Sequence, residues 1–335
     1  MRGIEAPEDL DVPGPPATPR ERVQRVLVFF LKYVLGLSLI AWMVASGKVD
    51  LSVASSLPAL LVAQCALFMV VQTVLGAYRV RYILAHQGIA CGLWQCLLFN
   101  CSGVLYSAFL PGGISGDAVR AYLFMKAVPH QRLAILGAMF LDRLLGLISM
   151  VTLGLCAALY MAIRVPVIRP YLVVFAGIFA LLVGGLATLH FIGSRHAPGE
   201  VPFMRLPGLW SKLKSGVAGL RIHHYPVPVL LSVVAQSVVI HLTAVAVIYA
   251  CSVHSQSGLR FLEVFVATPI GLLVNAVPLS PGGLGIGENA FELLYRAIGG
   301  RQGATSFLIA RFFLYSPALV GLAYIVQRLV FRRRR

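Results

Sequence analysis

The sequence predicts an all-α integral membrane protein with about six full transmembrane helices and two re-entrant helical hairpins arranged as inverted repeats. The first observation is composition, since 59% of the 335 residues are hydrophobic and only 12% are charged. A soluble domain carries about 25% charged residues. The second is a Pro-Gly-Gly phrase that occurs twice, at Pro111 and Pro281, each time after a hydrophobic run. Proline and glycine interrupt helices, and such a break in hydrocarbon must be satisfied by protein or water.

Hydrophobic runs that are long enough to cross a bilayer define the predicted elements in order. The six spans are predicted at residues 26–46, 57–77, 133–160, 171–192, 227–250 and 304–327. The two hairpins are predicted at residues 93–125 and 261–298, each turning at its Pro-Gly-Gly phrase. Residues 1–25 are rich in proline and charge, which predicts a disordered tail. The transmembrane domain is thus expected at residues 26–330, followed by a basic tail at 331–335.

The basic residues predict the orientation. The formal net charge is +16, and in a membrane protein such an excess indicates cytoplasmic loops and anionic lipid rather than a nucleic-acid partner. Both termini and the predicted loops at 78–92, 126–132 and 193–226 are then cytoplasmic. The first hairpin enters from the cytoplasm and the second from outside. Such inverted units are typical of secondary transporters, which bind substrate between discontinuous helices.

Acidic residues are scarce in the hydrophobic part of the chain. After Asp50 the sequence contains Asp117, Asp142, Glu200, Glu263, Glu288 and Glu292. Asp117 and Glu288 directly follow the two breaks. A carboxylate at membrane depth costs about 2.5–3.5 kcal/mol and usually serves a function. The alternative is that each carboxylate only stabilises the dipole of the helix that it begins.

Two arginines repeat with the breaks. Arg143 follows the first phrase and Arg311 follows the second at nearly the same distance. A guanidinium suits phosphate, so each could hold a lipid phosphate, and each could instead pair with a neighbouring carboxylate. Arg120, one turn after Asp117, could reach the cytoplasmic surface. Glu292 and Arg296 are spaced for a salt bridge within one helix, and His241 is interpreted as a core histidine.

These residues form the predicted substrate site, in which the glycines offer backbone N–H groups to an anion. The candidates are Pro111, Gly112, Gly113, Asp117, Arg120, Asp142, Arg143, Pro281, Gly282, Gly283, Glu288 and Arg311. No phrase matches a Walker A motif, and no His, Cys and Asp cluster has metal-ligand spacing. The sequence therefore predicts no cofactor and no metal. The six cysteines are interpreted as small buried apolar residues without disulfides.

The two phrases, together with Asp142-Arg143 between them, resemble the flippase-like transmembrane region of lysylphosphatidylglycerol synthases. The matching segments are residues 111–120 and 281–288, and the resemblance extends over about residues 25–330. Stand-alone members of that family are uncharacterised inner-membrane proteins or are linked to lipid and hopanoid pathways. The full synthase adds a soluble aminoacyl-transfer domain, whereas this chain ends at Arg335. The resemblance thus implies the lipid-translocating half rather than an enzyme.

The expected function is binding and translocation of a charged-headgroup lipid, such as a phospholipid or another anionic lipid, across the bacterial cytoplasmic (inner) membrane. One alternative is a membrane subunit that presents lipid to a separate glycosyltransferase or lipid-modifying enzyme. Another is an intramembrane enzyme that uses Asp117 or Glu288 as an acid or base.

Overall fold

The computed structural model describes residues 19–109, 115–163, 166, 169–194, 222–277 and 279–332, and none of these lies in a β-strand. Its α-helices in chain order are α1 Pro19–Ala45, α2 Leu51–Ser55, α3 Ala59–His86, α4 Leu93–Phe109, α5 Ser115–Ala127, α6 Arg132–Ala162, α7 Arg169–Ser194, α8 Val227–His254, α9 Phe261–Asn275, α10 Ile286–Ala297, α11 Gly303–Leu314 and α12 Pro317–Arg332. Short 3₁₀ turns precede α6 and α8, at Pro129–Gln131 and Ile222–His224. The predicted all-α class is confirmed.

Five segments are long and apolar enough to cross a membrane. They are Ala59–His86, Pro129–Ala162, Leu172–His190, Val227–His254 and Gly303–Arg328. These segments coincide with the second to sixth predicted spans, so the protein is a multi-pass membrane protein. The first predicted span falls in α1, whose described apolar part is the shorter segment Phe30–Ala45. The count of six full spans therefore stays a prediction.

Two helices extend beyond their predicted limits. Helix α1 begins at Pro19, inside the segment predicted as a disordered tail. Proline is tolerated there because the first-turn N–H groups have no helical partner in any case. Helix α3 continues to His86, so the predicted loop at 78–92 is wrong for its first nine residues. The buried side chains of Val80 and Ile83 continue the apolar face of α3 through this segment. Residues 1–18, 195–221 and 333–335 lie outside the described part of the chain.

The last predicted span is two helices rather than one. Helix α11 ends at Leu314 and α12 begins at Pro317, with a turn between them. Proline lacks an N–H and disfavours helical backbone in the residue before it, which explains the interruption. The break places Tyr315 at a helix end, where its side chain reaches the second Pro-Gly-Gly phrase.

Short helices flank both phrases, as the hairpin prediction requires. Helices α4 and α5 pack against each other around the first phrase, and α9 and α10 pack against each other around the second. Glycines permit the close approach in the first unit, because a methyl group on Gly116 would lie 2.1 Å from the carbonyl oxygen of Gly103 in α4. Whether each unit crosses only half of the bilayer stays a prediction.

We expect Gly116→Ala to destabilise the α4–α5 packing. The added methyl group has no room, and overpacking of this kind costs about 1–3 kcal/mol. Gly184→Ala in α7 is the matched control, since nothing lies within 4 Å of the methyl group that it adds. Unfolding of both variants in mixed micelles measures the difference. Equal stability of the two variants would contradict the packing argument.

The two halves of the chain meet through antiparallel helices. Helices α3 and α8 pack side by side, with Cys65 and Cys251 in one apolar cluster. Farther along α3, Gln72 accepts a hydrogen bond from Thr243 at 3.3 Å, and Arg79 donates to Ser237 at 2.8 Å. From one contact to the next, the residue numbers increase along α3 and decrease along α8. The first long helices of the two proposed repeats thus run in opposite directions, as the inverted-repeat prediction requires.

Each hairpin also packs against a helix from the other half of the chain. Helix α4 of the first hairpin packs on α12, and α9 of the second hairpin packs on α6. Each hairpin therefore rests against the long segment that follows the other hairpin. This exchange packs helices of the two halves of the chain against each other.

Candidate functional site

Two aspartates and three arginines form a connected cluster between α3, α5 and α6. Asp142 lies at its centre with no exposed surface. Its two carboxylate oxygens accept hydrogen bonds from Arg79 Nε at 2.8 Å and from Arg120 Nη2 at 2.9 Å. Arg79 also donates to the Ser237 hydroxyl of α8 at 2.8 Å. The cluster therefore links four helices through one buried carboxylate.

The outer part of this cluster is the pair that follows the first break. Arg143 Nη2 donates to Asp117 Oδ1, and Arg120 Nη2 lies 3.5 Å from the same oxygen. The Arg143 side chain is 57% exposed. The Asp117 side chain is 19% exposed. Arg143 thus has a largely exposed side chain, while its chain neighbour Asp142 is buried in the core.

The charges of the cluster do not cancel. Three guanidinium groups share two carboxylates, which leaves one positive charge in excess. The buried Nε of Arg120 also has no hydrogen-bond partner among the described residues. Buried polar atoms are normally satisfied, so an orphaned donor calls for an explanation. An anion beside the exposed side chain of Arg143 would balance the excess charge.

The second break carries a similar pair in a different environment. Arg311 donates to both oxygens of Glu288, at 2.5 and 3.0 Å. It also donates to the backbone oxygens of Gly282 at 2.5 Å and Gly283 at 3.1 Å, and to Asn275 Oδ1 at 2.9 Å. Glu288 is fully buried and Arg311 nearly so. This pair is closed and neutral, whereas the pair at the first break is open.

The carboxylate at the second break has two structural roles. One oxygen of Glu288 accepts the Gly285 N–H at 2.7 Å, which caps the start of α10. The same carboxylate holds Arg311, which ties the turn to α11. The dipole-cap and pairing hypotheses therefore both hold for Glu288. Arg143 and Arg311 each donate to the carboxylate beside its own break.

The second phrase adopts a backbone that requires glycine. Gly282 and Gly283 have φ values of +56° and +73°. A methyl group on Gly283 would lie 2.3 Å from the backbone oxygen of Asn275, so the turn packs tightly on the end of α9. Pro281 is buried at its start. The corresponding candidates Pro111, Gly112 and Gly113 lie outside the described residues.

The second break lies close to the end of α4 in the first hairpin. A methyl group on Gly282 would lie 3.5 Å from the backbone oxygen of Ala108, at the end of α4. Tyr315, at the break between α11 and α12, donates to Gly282 O at 3.0 Å. Helix α1 contacts both hairpins, because Tyr33 donates to the Phe109 backbone and Gly36 lies against Leu284. The discontinuous helices of the two halves therefore share one junction.

Sequence reasoning missed Arg79, Ser237 and Asn275. Arg79 was predicted to lie in the loop at 78–92. The apolar residues on either side of it recur at helical spacing, and this signal could have placed it inside α3. The sequence also left open that the side chain of Arg120 could reach the membrane surface. That alternative is wrong, because Arg120 is only 5% exposed and bonds Asp142. Charged side chains within transmembrane segments usually face the interior of the bundle and pair with one another, as Arg120 does.

Residues outside the junction have simpler roles. Glu292 and Arg296 form the expected salt bridge at 2.7 Å, and Glu263 accepts the backbone N–H of Arg260 at the start of α9. His241 contacts the Gly146 backbone oxygen at 2.9 Å, as expected of a core histidine. The six cysteines are free, and Cys156 is the exception to their predicted burial. Within the described ranges, no group of His, Cys, Asp and Glu side chains could hold a metal ion.

The fold and site define a polytopic helical membrane protein with two interrupted helical units and an ionic cluster that links α3, α5, α6 and α8. Residues 29–321 match the family model of the lysylphosphatidylglycerol synthase TM region. The chain therefore belongs to that family, as the sequence motifs predict. A comparison with curated proteins found no match.

Proposed function

We propose that this protein binds the headgroup of an anionic lipid at the Asp117–Arg143 pair and translocates it across the membrane. The observation that carries the proposal is the open, positively charged cluster at the first break. Its excess charge, the exposed side chain of Arg143 and the orphaned Nε of Arg120 together suit a phosphate. A guanidinium fork matches phosphate oxygens in geometry as well as charge.

Exchange of partners allows a headgroup to bind at modest cost. In the absence of lipid, Asp117 neutralises Arg143. A lipid phosphate takes the place of Asp117 on Arg143, and Asp117 keeps Arg120 as its neighbour. Because each charge remains close to an opposite charge, the step avoids an unpaired charge at membrane depth.

The second pair suits a fixed support for this movement. Arg311 is satisfied by five hydrogen bonds to Glu288, Asn275 and the turn. A guanidinium whose three nitrogens all donate to protein acceptors has little to offer a passing headgroup. Glu288 and Arg311 are therefore proposed to hold the second break against α11, while Arg143 and Asp117 contact lipid. The bonds that Glu288 makes to Gly285 and Arg311 also disfavour this carboxylate as an acid–base catalyst.

The experiment is translocation in proteoliposomes. Wild-type protein should move a headgroup-labelled anionic phospholipid between leaflets faster than empty liposomes do, as read by a membrane-impermeant quencher. A zwitterionic lipid with the same label should move more slowly, because its amine opposes the excess charge of the cluster. A rate equal to that of empty liposomes for every lipid would favour the alternative role, in which the protein presents lipid to a separate enzyme.

Orientation in the bacterial cytoplasmic membrane is part of the proposal. Single cysteines introduced at His130 and Arg301, with exposed Cys156 replaced by serine, should react with an impermeant thiol reagent from opposite faces. His130 should react from the cytoplasm, because basic connections tend to stay cytoplasmic, and Arg301 should react from outside, because the second unit is proposed to be inverted relative to the first. Labelling of both positions from one face would contradict the inverted arrangement.

A further inference from the structure

A separate cavity lies where α4 begins and where α5 and α12 end. Its volume is about 240 Å³, and its walls include Trp94, Phe99, Lys126, Tyr324 and Arg328. The cavity lies at the end of the Gly303–Arg328 span. The ionic cluster lies elsewhere, between α3, α5 and α6. None of its lining residues belongs to the cluster or to the two breaks. It is thus a second candidate site.

The charged residues of this cavity are all basic. Lys126 and Arg328 contribute positive charge, and no carboxylate is among the described residues that line it. Arg328 is oriented by Tyr324, because its Nη1 donates to the Tyr324 hydroxyl at 3.3 Å and its guanidinium lies 6.0 Å from the ring centre. Two cations without a counter-charge favour an anionic ligand.

The remaining walls indicate that this ligand is amphipathic. Leu98 and Phe99 provide an apolar surface next to the two cations. The Trp94 ring is 68% exposed beside them. Tryptophan, tyrosine, lysine and arginine at helix ends are typical of the level of lipid headgroups. An anionic head attached to a hydrocarbon chain matches both parts of the cavity, whereas free phosphate matches only one.

We infer that this cavity binds an anionic phospholipid at the membrane surface, with the phosphate at Lys126 and Arg328 and an acyl chain along Leu98 and Phe99. The inference rests on this cavity alone and does not require translocation. Each surface charge strengthens anionic-lipid binding about fivefold, so two charges should give a preference of about 25-fold over a zwitterionic lipid.

Tryptophan fluorescence can test the site directly. The chain contains Trp42, Trp94 and Trp210, so Trp42→Phe with Trp210→Phe leaves Trp94 as the only reporter. This variant is reconstituted with phosphatidylglycerol or phosphatidylcholine whose acyl chains carry bromine, a contact quencher. Half-maximal quenching of Trp94 should require about 25-fold less of the anionic lipid. Adding Lys126→Gln and Arg328→Gln should remove that difference.

Two controls separate a site from general attraction to a basic protein. Trp42, with Lys48 at 3.8 Å from its ring, is an exposed tryptophan beside a cation without this cavity. A variant that retains Trp42 alone should show little lipid preference. In the Trp94 reporter, Arg296→Gln with Arg301→Gln removes the same charge elsewhere and should leave the preference intact.

Several outcomes would overturn the inference. An equal preference for the anionic lipid at Trp42 and Trp94 would indicate general attraction of anionic lipid to a basic protein. Loss of this preference at Trp94 in the Arg296→Gln and Arg301→Gln control would indicate the same. Reversal by inorganic phosphate would indicate a site for a free anion rather than a lipid. Because the readout is quenching, failure of the translocation assay would leave this result unchanged.

Discussion

Arg143→Gln is expected to stop headgroup translocation while the protein still folds. The substitution removes the exposed guanidinium that is proposed to take the lipid phosphate. Loss of one partner from a desolvated charge pair costs about 2–5 kcal/mol, which corresponds to a rate at least about 30-fold lower. Stability should change by only about 0–1 kcal/mol, because exposed salt bridges contribute little. Proteoliposome translocation and micelle unfolding measure the two effects separately.

Arg296→Gln is the matched control for this prediction. Arg296 is also exposed and also pairs with a carboxylate, at 62% side-chain exposure against 57% for Arg143. It lies outside the cluster, so its variant should translocate lipid normally. Arg143→Lys should restore activity only in part, since lysine keeps the charge and loses the planar fork. Wild-type rates in Arg143→Gln would remove Arg143 from the lipid path.

Asp142→Asn is expected to destabilise the fold most strongly. The neutral amide leaves Arg79 and Arg120 buried without their central counter-charge. Removing one partner of a buried ion pair costs about 3–5 kcal/mol, because the remaining charge is uncompensated. Unfolding in mixed micelles should show this loss directly. Glu263→Gln, at a helix start, should cost only about 1 kcal/mol, as the loss of a cap does.

A second substitution tests the cause of that instability. If the cost comes from orphaned positive charge, Arg79→Met added to Asp142→Asn should recover part of the lost stability. If Asp142 acts only through packing, the second change should lower stability further. Additive losses in this double-mutant comparison would argue against an electrostatic role for Asp142.

The sequence alone determined the class of protein, the positions of both breaks and the carboxylate and arginine that accompany each. These features are readable because they depend on local chemistry. Charge is scarce in hydrocarbon, and proline with glycine interrupts helices wherever they occur. The order of the motifs was also sufficient to predict the family that the comparison confirms. Helix ends were less accurate, as α3 and the α11–α12 break illustrate.

Only the tertiary structure decided which charges meet and which remain open. Arg79 enters the core because α6 and α8 supply Asp142 and Ser237, residues that are remote from it in sequence. The two arginines that follow the breaks have similar sequence positions and different surroundings. Arg311 is closed by Asn275 and the backbone of the second turn, whereas Arg143 retains an exposed face. Burial depends on how helices from both halves pack, and that packing distinguishes the supporting pair from the pair proposed to bind lipid.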